Sequence, residues 1–195
     1  MTEKEKMLAG MLYNSMADKS LVDDRQNAKR LCREYNTADP LNEEKRREIM
    51  LSILGSTKEN FWIEQPFLCD YGYNIEIGEN FYANYNLIVL DCAKVTIGDN
   101  AFIAPNVGIY TAGHPLTAEQ RNCGLEYAYP ITIGNNVWIG AGVHICPGVT
   151  IGDNAVIGAG SVVVKDIPPH ALACGVPCKV VRYITEDDNI PDEFC

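Results

Sequence analysis

A period of six residues organises this chain from residue 75 onward, and few folds accommodate it. The run divides into IEIGEN, FYANYN and LIVLDC. After Ala93 and Lys94 it resumes as VTIGDN, AFIAPN and VGIYTA. After residues 113–130 it continues as ITIGNN, VWIGAG, VHICPG, VTIGDN, AVIGAG and SVVVKD. The third position of these twelve units reads Ile77, Ala83, Val89, Ile97, Ile103, Ile109, Ile133, Ile139, Ile145, Ile151, Ile157 and Val163, which is Val or Ile in eleven of them. Positions one and three alternate with outward residues, as a short strand requires, and β-branched side chains suit a stacked, half-buried strand surface. Gly follows the third residue at Gly78, Gly98, Gly134, Gly140, Gly152 and Gly158, where it is expected to serve the tight backbone of a corner. Neighbouring Asn and Asp favour turns. Three short strands with three corners make one triangular coil, and stacked coils bury a continuous aliphatic column. The period therefore predicts an all-β chain, a parallel β-helix of hexapeptide repeats. β-Sandwich strands do not fit, because their turn signals recur every ~8–12 residues.

The segment before residue 60 follows another pattern. Met7, Leu8, Met11 and Leu12, and again Ile49, Met50, Ile53 and Leu54, recur at helical spacing, and Thr2 with Glu5 predicts a capping box. The expected organisation is a helical N-terminal cap over 1–60, the β-helix over 61–182, and a tail over 183–195 with five acids and no base, read as a solvated end. Charge narrows the partners. Sixteen basic against 26 acidic side chains leave a net charge of -10, which argues against a phosphate-tracking nucleic-acid surface and against an anionic membrane. The sequence has no uninterrupted apolar run of ~18 residues, and its start, MTEKEKMLAG, carries charges where a secretory signal needs its apolar core. A soluble, cytoplasmic protein is expected. The eight cysteines form no CxxC pair, and only Cys174 and Cys178 lie close together, so scattered thiols are expected rather than a zinc site or a disulfide framework.

Residues 113–130 have the length of one coil but not its content. Cut in phase, their third positions are Pro115, Arg121 and Tyr127. A loop projecting from a corner is predicted, and long loops in compact repeats are usually functional. It opens with Gly113-His114-Pro115. Of the three histidines, His144 falls at an outward strand position and His170 follows Pro168-Pro169, in an expected connector. His114 alone opens the break in the repeat, and histidine titrates near neutral pH and can act as a general base.

These residues resemble a known family. The repeat resembles the left-handed β-helix of the hexapeptide acyltransferases. Within that group, the runs CDYGYNIEIGENFYANYN, LDCAKVTIGDNAFIAPNVGIYTAGHP, PITIGNNVWIGAGVHICPGVTIGDNAVIGAGSVVVKDIPP and GVPCKVVR are similar to the maltose and galactoside O-acetyltransferases. The N-terminal EKEKMLAGMLYNSMADKSLVDDRQNAKRLCREYN is similar to the helical cap of the same enzymes, closer to the maltose branch. The resemblance extends to about Arg182. It implies acetyl transfer from acetyl-CoA to a sugar hydroxyl, no required metal, and a homotrimer with active sites between subunits.

The resemblance also implies roles for individual residues. His114 matches the family's catalytic histidine and Asn84 its acceptor-orienting asparagine. Asp18 and Asp70 match sugar-binding positions. Position 92, another sugar-binding position, is Asp in the galactoside enzymes and Cys92 here, and Cys92 and its neighbour Asp91 are both taken as sugar-contact candidates. Asn84, Ala141, Ala159, Val164, Lys165, Lys179 and Arg182 occupy acetyl-CoA positions; Ala141 replaces a Ser and Lys179 an Arg. A backbone contact survives the first change, whereas the second keeps charge and loses the planar fork. Charge agrees independently. Residues 131–182 hold Lys165, Lys179 and Arg182 against Asp153 and Asp166, a net of +1, so the rest of the chain carries -11, and an anionic cofactor belongs where acids are scarce. Trp138, at an outward position between two glycine-bearing corners, is expected to wall the pantetheine tunnel or a subunit interface.

The expected mechanism is direct transfer. His114 removes the proton of the attacking hydroxyl, Asn84 holds that hydroxyl, and a corner N–H such as that of Ala141 meets the oxyanion. Glu126 is a possible orienter of His114 through its second ring nitrogen, set against a plain surface charge. Cys92 and Cys123 keep a covalent thiol route open. Rival readings are a xenobiotic acetyltransferase, a non-catalytic trimeric scaffold, a zinc carbonic anhydrase, which needs about three converging histidines, and a nucleotidyl transferase, which needs a nucleotide-binding domain.

Overall fold

The computed structural model describes residues 1–190; residues 191–195 of the acidic tail, Cys195 included, lie outside the described residues. The chain is a left-handed parallel β-helix with a helical cap at its N-terminal end. Its three flat faces are parallel sheets. One stacks Ile75–Ile77, Val95–Ile97, Ile131–Ile133 and Thr150–Ile151. The second runs Phe61–Ile63, Phe81–Ala83, Phe102–Ile103, Trp138–Ile139, Val156–Ile157 and Ala171–Cys174, and is closed by the antiparallel strand Lys179–Tyr183. The third stacks Phe67–Cys69, Leu87–Leu90, Gly108–Tyr110, His144–Ile145 and Val162–Val163.

Positions one and three of every hexapeptide point inward. All twelve third positions are buried, from Ile77 to Val163, and so are all twelve first positions, from Ile75 to Ser161. Ser161 is the one polar residue in this column. Its hydroxyl donates to the Gly158 carbonyl at 2.5 Å and accepts the Gly175 N–H at 3.0 Å, so no hydrogen bond is lost to burial.

The corners divide their labour differently from the sequence expectation. Left-handed backbone sits at the sixth position, at Asn80, Asn86, Asn100, Asn106, Asn136 and Asn154, all with φ between 54° and 64°. Asn tolerates this region because its short amide bonds locally. Four of these amides form a ladder up one edge, Asn80 to Asn100, Asn100 to Asn136 and Asn136 to Asn154, at 3.0–3.1 Å. His170 is the top rung. Its φ is 58° and its Nε2 lies 3.4 Å from the Asn154 amide, so it is a corner residue of the last coil rather than part of a loose connector. The glycines at the fourth position have no positive φ. They are required because coils stack closely: a Cβ on Gly134 would lie 2.3 Å from Asp153 Oδ1 and 2.7 Å from its backbone nitrogen.

The cap comprises α1 (Glu3–Leu8), α2 (Lys19–Thr37) and α3 (Glu43–Ile53). Thr2 and Glu5 form the capping box of α1, which stops at Leu8, so Met11 and Leu12 are not helical. α2 and α3 close the end of the aliphatic column with Ala28, Cys32, Tyr35, Ile49, Met50 and Ile53. Arg46, 4% exposed, ties α3 to the first coil: it donates to the Ile63 carbonyl at 2.8 Å and stacks on Trp62 at 4.5 Å. Cys32 of α2 and Cys69 of the first coil are buried with sulfurs 3.6 Å apart, whereas Cys123 and Cys174 are at the surface.

Residues 113–130 are not an irregular loop. Ala112–Gly113 pairs antiparallel with Leu125–Ala128, a short helix (Ala118–Asn122) forms the tip, and Leu125-Glu126 pairs in turn with Tyr13-Asn14 of the cap. Met7, Tyr13, Leu21, Tyr71, Cys92, Ala93 and Ala128 make a second small core under this hairpin.

Candidate active site

The hairpin exists because its two arms satisfy each other's backbone and because Gly113 leaves room for the Tyr127 ring, which a Cβ would meet at 2.5 Å. This geometry exposes His114 just beyond the first arm. Its Nδ1 lies 3.2 Å from the Leu125 carbonyl oxygen. A carbonyl can only accept, so Nδ1 is the donor, and in the neutral ring Nε2 keeps its lone pair. The ring is therefore oriented by backbone, not by Glu126. The Glu126 carboxylate is taken from the other side, by the Tyr13 hydroxyl at 3.0 Å and the Ser15 hydroxyl at 2.8 Å.

Around Glu126 lies a polar cluster at the junction of cap and coil. Arg25 donates to the Tyr71 hydroxyl at 2.7 Å and to the Ser15 carbonyl at 2.9 Å. Asp70 accepts from the Cys92 thiol at 3.4 Å, and burial raises its carboxyl above the usual carboxylate range. Burial and the neighbouring Asp70 charge push the Cys92 thiol well up, so it is a protonated donor here and not the activated nucleophile of the covalent alternative. Asp18 is the N-cap of α2; its carboxylate accepts the Ser20 N–H at 2.9 Å, its hydroxyl at 2.7 Å and the Lys4 N–H at 3.2 Å. These bonds, the Ser20 hydroxyl first, hold its pKa down.

Asp91 does not do what was expected of it. It is 0% exposed and accepts the backbone N–H groups of Tyr71 at 2.8 Å, Asp70 at 3.1 Å and Asn74 at 3.3 Å. Its oxygens pin the turn that presents Asp70, and no face is left for a ligand.

Asn84 directly follows the second-face strand Phe81–Ala83; its Oδ1 accepts the Tyr85 N–H at 2.8 Å and its amide nitrogen has no partner among the described residues. Ala141 and Ala159 lie just beyond strands Trp138–Ile139 and Val156–Ile157 of that face and are exposed, and the Ala141 N–H meets no acceptor among the described residues. Val164 and Lys165 follow the last strand of the third face, and Lys179 and Arg182 lie on the closing strand, all exposed. Trp138, 56% exposed, belongs to an outward column of Trp62, Tyr82, Phe102 and Trp138 in direct register. The other two histidines are engaged elsewhere: His144 stacks on Tyr110 with ring centroids 5.7 Å apart, and His170 caps the asparagine ladder.

The single chain has cavities of about 400 Å³ between α3 and the first coil and about 530 Å³ beside α1. Neither takes in His114 or Asn84.

The chain is 55% identical to a solved maltose O-acetyltransferase from Clostridium difficile 630, with a TM-score of 0.93 and coverage of 95% of this chain and 99% of that one. It belongs to the maltose and galactoside O-acetyltransferase family. A galactoside acetyltransferase solved in complex with coenzyme A matches with a TM-score of 0.93 at 50% identity, covering 96% of this chain and 94% of that one. A putative acetyltransferase of Saccharomyces cerevisiae is 58% identical over 190 residues, 97% of each chain. Residues 6–58 match the maltose acetyltransferase hexapeptide capping motif and residues 130–165 the bacterial transferase hexapeptide model of six repeats. In this family member, the sequence reading missed Tyr13, Ser15, Arg25 and Tyr71. Arg25 had a signal: it lies seven residues after Asp18, two helical turns along the same face of α2. Tyr13 and Ser15 had none, since their partner is more than 110 residues away.

Proposed function

We propose that this chain transfers an acetyl group from acetyl-CoA to a hydroxyl of a sugar of the maltose, glucose or galactoside type, with His114 as general base. The observation that carries the reading is the His114 ring, donating from Nδ1 to a fixed carbonyl and leaving Nε2 as an exposed acceptor. Kinship with enzymes named for maltose and galactoside acetylation supports the substrate class. The sugar oxygen attacks the thioester carbonyl while Nε2 takes its proton. The tetrahedral oxyanion is met by the free Ala141 N–H. Its collapse expels the CoA thiolate, which recovers the proton from the imidazolium.

Asn84, with its free amide, positions the acceptor, and Asp70 with Asp18 forms the sugar end of the site. Lys165, Lys179 and Arg182 receive the phosphates of CoA, and Val164, Ala159 and Trp138 its pantetheine arm. The site is completed by a second copy in a homotrimer. Two features support this: the solvent-facing aromatic column through Phe102, 53% exposed, and Trp138, and a His114 that neither the cavity at α3 nor that beside α1 takes in. Among the described residues, no helix is long and apolar enough to cross a membrane, which is compatible with a cytoplasmic enzyme.

The test is release of free thiol from acetyl-CoA across a panel of maltose, glucose, galactosides and hydroxylated xenobiotics. Turnover with sugars is expected. Turnover confined to xenobiotics would reassign the acceptor, and an absence of CoA affinity would leave only a scaffold.

A further inference from the structure

The acidic tail is not an idle solvated end. Beyond Tyr183, a short 3-10 turn over Glu186–Asp188 folds back onto the closing strand. The two carboxylate oxygens of Asp188 engage the two terminal nitrogens of Arg182, Nη1 to Oδ2 at 2.7 Å and Nη2 to Oδ1 at 2.5 Å. The turn holds this carboxylate in place, since Oδ2 also accepts the Thr185 N–H at 2.9 Å. The edge formed by the two terminal nitrogens of a guanidinium takes carboxylate and phosphate in the same bidentate way, leaving only the side edge of Nε with one Nη as a second fork. Arg182 therefore cannot offer that edge to a phosphate while Asp188 occupies it. Lys165 and Lys179, the other two bases of this end, have no carboxylate partner among the described residues. The Arg182 guanidinium, with the Thr185 N–H, holds the Asp188 carboxyl down to about 2, so it stays ionised at any working pH.

We propose that Asp188 is a built-in competitor for a phosphate group of CoA at Arg182, so that the C-terminal turn sets the affinity for the acetyl donor. The inference rests on Arg182 being a CoA phosphate ligand, and it adds an occupant that the incoming cofactor must displace. Glu186 and Asp187, on the same turn, add negative charge beside the site.

Binding of CoA by calorimetry and the KM for acetyl-CoA separate the two layers of the argument. In Asp188→Asn, CoA is expected to bind about threefold to fivefold more tightly, the size of an exposed ion pair, with kcat unchanged and the gain shrinking at high salt. In Arg182→Ala, CoA binds more weakly, and adding Asp188→Asn to that variant changes nothing further. Repeating the comparison with dephospho-CoA identifies the group: a gain lost with this probe assigns the ribose phosphate to Arg182, and a gain retained assigns the diphosphate. If Arg182→Ala weakens CoA but Asp188→Asn leaves it unchanged or weaker, Asp188 is an anchor and the competitor role is wrong. If Arg182→Ala leaves CoA binding intact, the cofactor reading of Arg182 falls, and the competition with it.

Discussion

The carbonyl of Leu125 holds the ring of His114, 3.2 Å from Nδ1, and so fixes which nitrogen is free to accept a proton. A backbone acceptor adds no charge to the site, so the imidazole is oriented without a carboxylate partner. Replacing His114 by Ala removes the proposed base and leaves the hairpin backbone in place. Turnover is expected to fall by roughly 10²–10⁴. The affinity for CoA should stay near that of the parent, because the positions proposed to bind its phosphates are on other elements. Single-turnover assays with calorimetry of CoA binding check both halves, and unchanged turnover would remove His114 from the chemistry.

Glu126 acts one step behind this. Tyr13, 0% exposed, and Ser15 both donate to its carboxylate, and strand Leu125–Ala128 is thereby stitched to the cap. Tyr13→Phe keeps the ring packing and removes one donor from a half-buried carboxylate. Stability to urea is expected to drop by about 1–3 kcal/mol. Because Leu125 is on the stitched strand, kcat should fall while the KM for acetyl-CoA does not move. An unaltered kcat at full loss of stability would mean the cap does not set the position of His114.

Asp91 supplies a pH signature. Burial lifts its carboxyl to about 6, in spite of the backbone N–H donors that favour the charged form. The unfolded chain, with an ordinary carboxylate, has already lost this proton near pH 4, so between about pH 4 and 6 the folded state binds more protons. The contribution of Asp91 is thus most favourable below pH 4 and declines until about pH 6. The decline is on the order of 3 kcal/mol. Carboxylates held low, such as Asp18, slope the other way, so the quantity to measure is the difference between wild type and Asp91→Asn in chemical denaturation at pH 4, 5 and 6.5. A difference that is flat in pH would show that Asp91 titrates normally.

What could be read in advance depended on whether the information is local. Positions one and three of each hexapeptide see only the coils above and below, so their burial follows from the period alone. The hairpin leaves no mark in the sequence, because its arms pair with each other and with Tyr13-Asn14, a relation without sequence period. The partner of His114 is a carbonyl, which no side chain announces. The direction of Asp91 is not legible in the sequence, because it lies in a corner, where strand alternation no longer fixes direction, and three N–H groups of the preceding coil hold its carboxylate.

The glycines show the same limit and allow a sharp comparison. Gly142 has φ +68 and nothing within 4 Å of an added Cβ, so Gly142→Ala meets only backbone strain, about 1 kcal/mol. Gly134 has no positive φ, yet its Cβ would strike the next coil at Asp153, 2.3 Å from Oδ1 and 2.7 Å from the nitrogen. That nitrogen belongs to the stacked backbone and cannot swing away as a side chain does. Relief requires the coils to separate, which loosens the Asn135 N–H bond to Asp153, now 2.7 Å. Gly134→Ala is expected to cost about 3 kcal/mol, more than Gly142→Ala, although a rule based on φ ranks them the other way. Urea unfolding of the two variants decides it. Equal losses would mean that the stack yields, and that fourth-position glycine is there for the corner after all.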